Sequence, residues 1–205
     1  MIKRNYQKEM EEILKNLQGP GATKRLLLHS CCAPCSSYVL MTLSRFFNIT
    51  IFYYNPNISP KEEYDHRKDE QKKLLSSMDF ANGVNFLDCD YEDYEFDNIS
   101  KGLENEPEKG RRCYKCYELR LRKTAQKARV NNYDFFATTL TVSPYKNADW
   151  INKIGEDLSR TYGVAYLVSD FKKNNGYKKS IELSEKYNLY RQNFCGCRFS
   201  RLNMI

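Results

Sequence analysis

The sequence has no long apolar run. Nothing in its 205 residues approaches the ~20 consecutive apolar positions needed to cross a bilayer, which argues against a membrane protein. Met1–Gln18 mixes Lys, Arg and Glu with short apolar pairs and lacks the anatomy of a secretion signal, so a cytoplasmic location is expected. Glycine is scarce, at 9 residues, and neither G-x-x-x-x-G-K-[ST] nor G-x-G-x-x-G occurs. ATP or dinucleotide binding therefore has no motif behind it. Histidine is rarer still, at 2. His29 ends an apolar strand and reads as a satisfied core residue, while His66 lies on a charged helix and reads as surface. Repeats and low-complexity linkers are also missing, so the chain reads as one domain.

Against these absences stand eight cysteines. Cytoplasmic thiols are kept reduced, so the eight point to metal or redox chemistry rather than to a disulfide framework. Charge is uneven too. The net charge is +7, yet residues 1–110 hold 14 Lys and Arg against 18 Asp and Glu, and residues 111–205 hold 19 against 8. The basic half suits a polyanion such as RNA as well as it suits a solvated surface.

Hydrophobic spacing alternates between strand and helix along the chain. Residues 1–23 read as an amphipathic helical extension (Tyr6, Met10, Ile13, Leu14, Leu17) stopped at Gly19-Pro20-Gly21. Strands are expected at Arg25–His29, Ile49–Tyr54, Val84–Leu87, Asp134–Thr138 and Val164–Val168. Helices are expected at Ser36–Phe47, from Pro60 to Ser77, and at Cys113–Val130, Asn147–Tyr162 and Gly176–Tyr187. This alternation predicts an α/β fold, a Rossmann-like parallel sheet with helices on both faces. The segment Asp88–Glu108, with nine acids and one lysine, reads as a solvated loop or lid.

Ligands of such sheets bind beyond the carboxyl ends of the strands. After the first strand comes His29-Ser30-Cys31-Cys32-Ala33-Pro34-Cys35-Ser36, with thiols where nucleotide-binding relatives carry glycines. A helix N-terminus there favours thiolate. Cys113-Tyr114-Lys115-Cys116 opens a second helix, and its i, i+3 spacing aims both sulfurs to one side with Arg120 one turn on. Arg111, Arg112 and Arg120 are expected to lower thiol pKa values nearby. Two such groups can hold zinc or an iron–sulfur cluster; the surplus of thiols favours the cluster. Cys195-Gly196-Cys197 suits a labile redox-active disulfide, a second metal, or ligands of the same cluster. Cys89 stands apart and reads as a small buried hydrophobe. Asp170, after the fifth strand, reads as proton donor, metal ligand or helix cap. Tyr190-Arg191-Gln192-Asn193-Phe194 mixes ring stacking with amide and guanidinium donors, as recognition of an extruded base requires and as a packed tail also allows.

Taken together, five stretches identify a family. They are His29–Cys35, Glu106-Pro107-Glu108 with Arg112-Cys113-x-x-Cys116, Thr138–Asn147, Ser169-Asp170-Phe171-Lys172-Lys173, and Tyr190–Cys197. In order, from about Leu26 to Ser200, they resemble the epoxyqueuosine reductases of the QueH type. The resemblance implies reduction of epoxyqueuosine to queuosine at the wobble position of tRNA, the last step of queuosine biosynthesis. It implies a [4Fe–4S] protein on a scaffold related to adenine-nucleotide α-hydrolases, with residues 24–205 as the iron–sulfur reductase domain. Carried over by motif, Cys31, Cys32, Cys113 and Cys116 are the cluster ligands. Cys195 and Cys197 are then a catalytic redox pair or ligands of an additional iron ion, and Cys35 has no assigned role. Asp170 and Tyr190 are candidates for the proton donor, and electrons come from an external donor.

Two other readings compete with this one. A zinc-stabilised RNA-binding module predicts one zinc and a colourless protein. A nucleotide-using tRNA-modifying enzyme, such as a thiolase of similar fold, needs the phosphate loop that is missing.

Overall fold

Leu26, Leu27 and Leu28 are all fully buried, which only a strand covered on both faces accommodates. They form the heart of β1 (Lys24–His29), the central strand of the computed structural model, which describes residues 4–17, 23–81 and 83–202. Around it lie β2 (Phe47–Phe52), β3 (Asn85–Leu87), β4 (Phe135–Thr138) and β5 (Ala165–Tyr166), in the order β3-β2-β1-β4-β5. Every pairing is parallel; Leu28 sits opposite Ile51 on one side and Ala137 on the other. This is the expected Rossmann-like α/β fold, and its topological switch point, where the strand order reverses, falls between β1 and β4.

The period of two along β1 divides the core. Leu26 and Leu28 join Met10 and Leu14 of α1 (Tyr6–Asn16), Val39, Leu40 and Leu43 of α2 (Ala33–Leu43), and Leu74 of α3 (Lys61–Ser77). Leu27 faces the other way, toward Leu121 and Ala125 of α5 (Arg111–Val130) and Ile151 and Ile154 of α6 (Ala148–Tyr162). Each leucine contributes roughly 1.5–3 kcal/mol by leaving water. Between β3 and α5 lies α4 (Asp93–Ser100); α7 (Gly176–Lys186) and α8 (Arg198–Leu202) complete the chain. The helix of the N-terminal extension thus supplies core, with Met10 fully buried, and its expected stop at Gly19-Pro20-Gly21 lies outside the described residues.

Three of the departures from expectation have identifiable reasons. First, α2 begins at Ala33 rather than Ser36, because Cys32 is its extended N-cap and Pro34 fixes the first turn. Second, β2 begins at Phe47 rather than Ile49, since Phe47 and Asn48 pair with Lys24 and Arg25. Tyr54 has left the sheet, and its carbonyl accepts from His29 instead. Third, part of the acidic stretch is helix, not loop. α4 packs through Phe96 against Cys116 and Cys197, and Asp97 pairs with Arg198 at 2.7 Å.

Candidate metal and redox centre

β1 delivers the first cysteines, and polar contacts hold that turn still. The Ser30 amide donates to the Phe52 carbonyl at 3.1 Å, and Asn55 Nδ2 donates to the Ser30 carbonyl at 2.8 Å. Ser30, Ser36 and Gln71 close a buried triangle of 2.5, 2.7 and 2.8 Å. His29 behind it is fully buried, with Nε2 3.1 Å from the Tyr54 carbonyl and Nδ1 2.9 Å from Thr138 Oγ1. Because a carbonyl only accepts, the proton sits on Nε2. This is the satisfied core histidine that was expected, and exposed His66 is the surface one, packed against Tyr190 with ring centroids 4.3 Å apart.

Burial, and then the nearby Arg120 charge, hold His29 down to about 4 from an ordinary 6.5. A depressed folded-state pKa gives stability that is complete above the unfolded value and is lost as pH falls through the folded one. Unfolding of the metal-free protein is therefore expected to become easier from pH 6.5 toward pH 4. His29→Gln should flatten that dependence, and denaturant titration across this window measures it.

Cys31, Cys32 and Cys35 have sulfurs all within 4.8 Å of one another, with Cys31 and Cys32 3.9 Å apart. Three thiols that close form a group able to bind a metal. Cys35, left without a role by its motif, belongs to this group. Its signal was in the sequence: Cys32 and Cys35 have the same i, i+3 spacing at a helix start as Cys113 and Cys116. Hydrogen bonds from Cys32 and Cys35 hold the Cys31 thiol well below its usual range, helped by Lys146 and Arg120. Cys32 is correspondingly pushed up to about 11, and Cys35 is pushed up as well. Loading the trio with metal therefore means releasing protons, chiefly from Cys32 and Cys35.

These three line a cavity of ≈ 580 Å³ together with Arg67, Arg120, Lys146, the 191–194 segment and Cys195. Cys195 also lines a second, adjoining cavity, where it meets Cys113, Cys116, Cys197 and again Arg120 and Lys146. The spacing argument for Cys113 and Cys116 holds: both sulfurs and Arg120 share one side of α5. The expected acidity there does not. Burial raises Cys113 and takes Cys116 up to about 11, outweighing the arginines. Acidity sits at Cys195 instead, held well down by a hydrogen bond from Cys197 and by the charges of Lys146 and Arg120, while Cys197 goes up. Lys146 Nζ is 3.5 Å from the Cys195 sulfur.

The Cys195–Cys197 hairpin is fixed by its backbone. The Gly196 carbonyl accepts from the Ser59 amide at 2.9 Å, and the Cys195 carbonyl accepts from Arg67 Nη1 at 3.3 Å. Gly196 has φ +104°, and a Cβ there would lie 2.9 Å from Arg67 Nη1, so the position requires glycine. Cys89 is elsewhere, its thiol donating to the Tyr53 carbonyl at 2.9 Å. Asp170 does not line the thiol cavities. It faces a neighbouring recess and pairs with Lys172 at 2.5 Å. Tyr190 packs against α3, its hydroxyl donating to Glu63 at 3.3 Å.

Sequence reasoning gave Arg67 and Lys146 no role, and their burial shows only in three dimensions. Arg67 and Arg120 are 2% and 1% exposed, and each has a buried Nη2 with no hydrogen-bond partner among the described residues. Arg67 has Glu63 at 2.6 Å. Arg120 has no carboxylate partner there, only the Cys116 carbonyl at 3.2 Å. Burial works against its charge, and the Cys116, Cys195 and Cys31 sulfurs outweigh that. A buried cation of this kind needs an anion. An all-thiolate metal centre is one, so the donor set and the orphaned guanidinium both fit such a group.

A Rossmann-like sheet whose carboxyl edge carries seven thiols and buried counter-cations defines a class, α/β proteins with grouped thiols able to bind a metal. The sequence model of the family described as epoxyqueuosine reductase QueH matches residues 26–203. Curated relatives of that name include one from Streptococcus pyogenes serotype M1, 44% identical over 96% of this chain and 78% of the relative. Another, from Staphylococcus epidermidis, is 43% identical over 97% and 85%; one from Thermotoga maritima is 34% identical over 86% and 90%. This chain belongs to the epoxyqueuosine reductase QueH family.

Proposed function

We propose that this chain reduces epoxyqueuosine in tRNA to queuosine, completing queuosine biosynthesis. The observation that carries the reading is the convergence of seven thiols on two adjoining cavities, in a chain of that family. The reaction takes two electrons and two protons; the epoxide opens, its oxygen leaves as water and an alkene remains. Cys31, Cys32, Cys113 and Cys116 would hold a [4Fe–4S] cluster, with Cys35 beside them, and the cluster would supply electrons one at a time. Cys195 and Cys197 supply the second redox element, either as a thiol pair or as ligands of an additional iron, and an external donor restores the electrons.

The remaining residues bind and orient. Gln192 has a buried Oε1 without a partner among the described residues, and it lines the thiol cavity with Arg191 and Asn193. Those groups are placed to take the hydroxyls of a modified base. Lys146, whose pKa stays above its ordinary value because the Cys195 charge outweighs burial, holds a proton beside the same cavity. It is a better placed donor than Asp170, which is tied to Lys172. No described helix is long and apolar enough to cross a membrane, in keeping with a tRNA substrate.

Iron, acid-labile sulfide and zinc measured on protein purified without oxygen test the cofactor. About four irons and four sulfides, with broad absorption near 400 nm, are expected. Zinc without sulfide, persisting after anaerobic reconstitution, would favour the zinc-stabilised RNA-binding module instead.

A further inference from the structure

Beside the thiol cavity lies a recess of ≈ 750 Å³, and the two share Tyr145, Lys146 and Tyr177 in their walls. Its lining carries five cations, Arg4, Lys109, Lys146, Lys172 and Lys173, against the carboxylates Asp149 and Asp170. Some of these charges are already engaged: Arg4 by Glu9 and Glu156, Lys172 by Asp170, and Lys146 by Cys195. Lys109 and Lys173 are exposed and have no carboxylate within ion-pair distance among the described residues. A different recess, of ≈ 810 Å³ beyond β2 and β3, is lined by four lysines and four carboxylates and has no such excess.

Tyr145 stands at the junction. It is 61% exposed, lines the recess and both thiol cavities, and has Lys109 Nζ 5.5 Å from its ring centroid. Lys109 is held there by a backbone that lysine seldom adopts, with φ +71°. Its amide donates to the Cys113 sulfur at 3.3 Å, and two residues on the Arg111 amide donates to Glu106 Oε2 at 2.9 Å. Strain of this kind persists where surrounding contacts over-determine it. Here it ties a free cation and an exposed ring to the wall of the metal centre. An exposed ring with one free cation beside it and a second lining the same recess is the chemistry that takes single-stranded nucleic acid, through base stacking and phosphate pairing.

We propose that this recess holds the stretch of single-stranded RNA next to the nucleotide that enters the thiol cavity, one base stacked on Tyr145 and its phosphates on Lys109 and Lys173. That the RNA is the anticodon loop rests on the function proposed above. The probe is an unmodified, fluorescently labelled anticodon stem–loop, its binding to the intact protein followed by anisotropy over a salt series. K109A/K173A is expected to weaken binding about tenfold at low salt. It should also make the slope of log K against log salt shallower by about 1.4, two phosphate contacts on a single strand. Y145A is expected to weaken binding fivefold or more with the slope unchanged, and Y145F to bind like the parent. K61A/K127A, in the balanced recess, is expected to change neither quantity.

An unchanged slope in K109A/K173A, or an equal loss in K61A/K127A, overturns the proposal. Turnover on epoxyqueuosine-containing tRNA separates the two readings. Reduction with an unaltered K109A/K173A slope defeats this surface alone; a mapped surface without reduction defeats the reductase reading alone.

Discussion

Replacing Cys197 by serine is expected to abolish reduction of epoxyqueuosine, by about a thousandfold or more, while most of the cluster absorbance remains. The serine hydroxyl can still donate to Cys195, as the Cys197 thiol does, so the acidic sulfur at position 195 keeps its hydrogen bond. What serine cannot do is form a disulfide or ligate an additional iron as thiolate does. The four proposed cluster ligands are untouched. Cys31→Ser is the contrasting variant, because it removes the most acidic thiol of the close trio, and it should lose the cluster itself. Iron content and the visible spectrum, read beside turnover, distinguish the two. Loss of the whole cluster in Cys197→Ser would make Cys197 a primary ligand and withdraw its separate redox role.

Arg120→Leu has the second large effect, and it is expected in the loaded protein rather than the metal-free one. Arg120 is 1% exposed with an unpartnered Nη2 and no carboxylate partner among the described residues. In the metal-free protein the Cys116, Cys195 and Cys31 sulfurs offset the burial of this charge, so replacing it with a packed apolar side chain is expected to change the unfolding free energy by about 1 kcal/mol or less. In the loaded protein the anionic centre loses a buried counter-charge on the side shared by both cavities. Retention of iron against a chelator should fall about tenfold or more, the scale of outer-shell effects on metal sites. Metal-free unfolding free energy together with chelator competition checks both halves. Iron held as in the parent, with the metal-free protein destabilised by about 3–5 kcal/mol, would make Arg120 a structural residue with a partner not accounted for.

Much of the fold was legible because the strands announce themselves. Arg25–His29 is an unbroken apolar run ending in a buried histidine, and the β1 pairing places it at the centre of the sheet. α4 was hidden. Its apolar residues, Tyr94, Phe96 and Ile99, are set among acids, and its packing comes from α5 and the C-terminal cysteines rather than from its own pattern. β5 is shorter than its apolar run because only Ala165 and Tyr166 pair with β4; Leu167 and Val168 are buried as loop.

The thiols were legible by spacing, and the three groups do meet around two adjoining cavities. Their charges were not, because acidity depends on burial and on which sulfur receives the hydrogen bonds. Arginines near Cys113 and Cys116 in sequence are outweighed there by desolvation, whereas Cys31 and Cys195 gain from Lys146, a residue distant in the chain. Asp170 shows the converse. It follows the fifth strand as expected, yet its carboxylate turns to Lys172 and into the basic recess.

The most direct test of the central claim is the conversion itself. Anaerobically reconstituted protein is mixed with a chemical reductant and tRNA carrying epoxyqueuosine, and the nucleosides are then released and read by mass spectrometry. The account predicts loss of one oxygen from the modified nucleoside, to give queuosine, in the parent and none in Cys197→Ser. Epoxyqueuosine recovered unchanged from a preparation holding its full complement of iron and sulfide would contradict it.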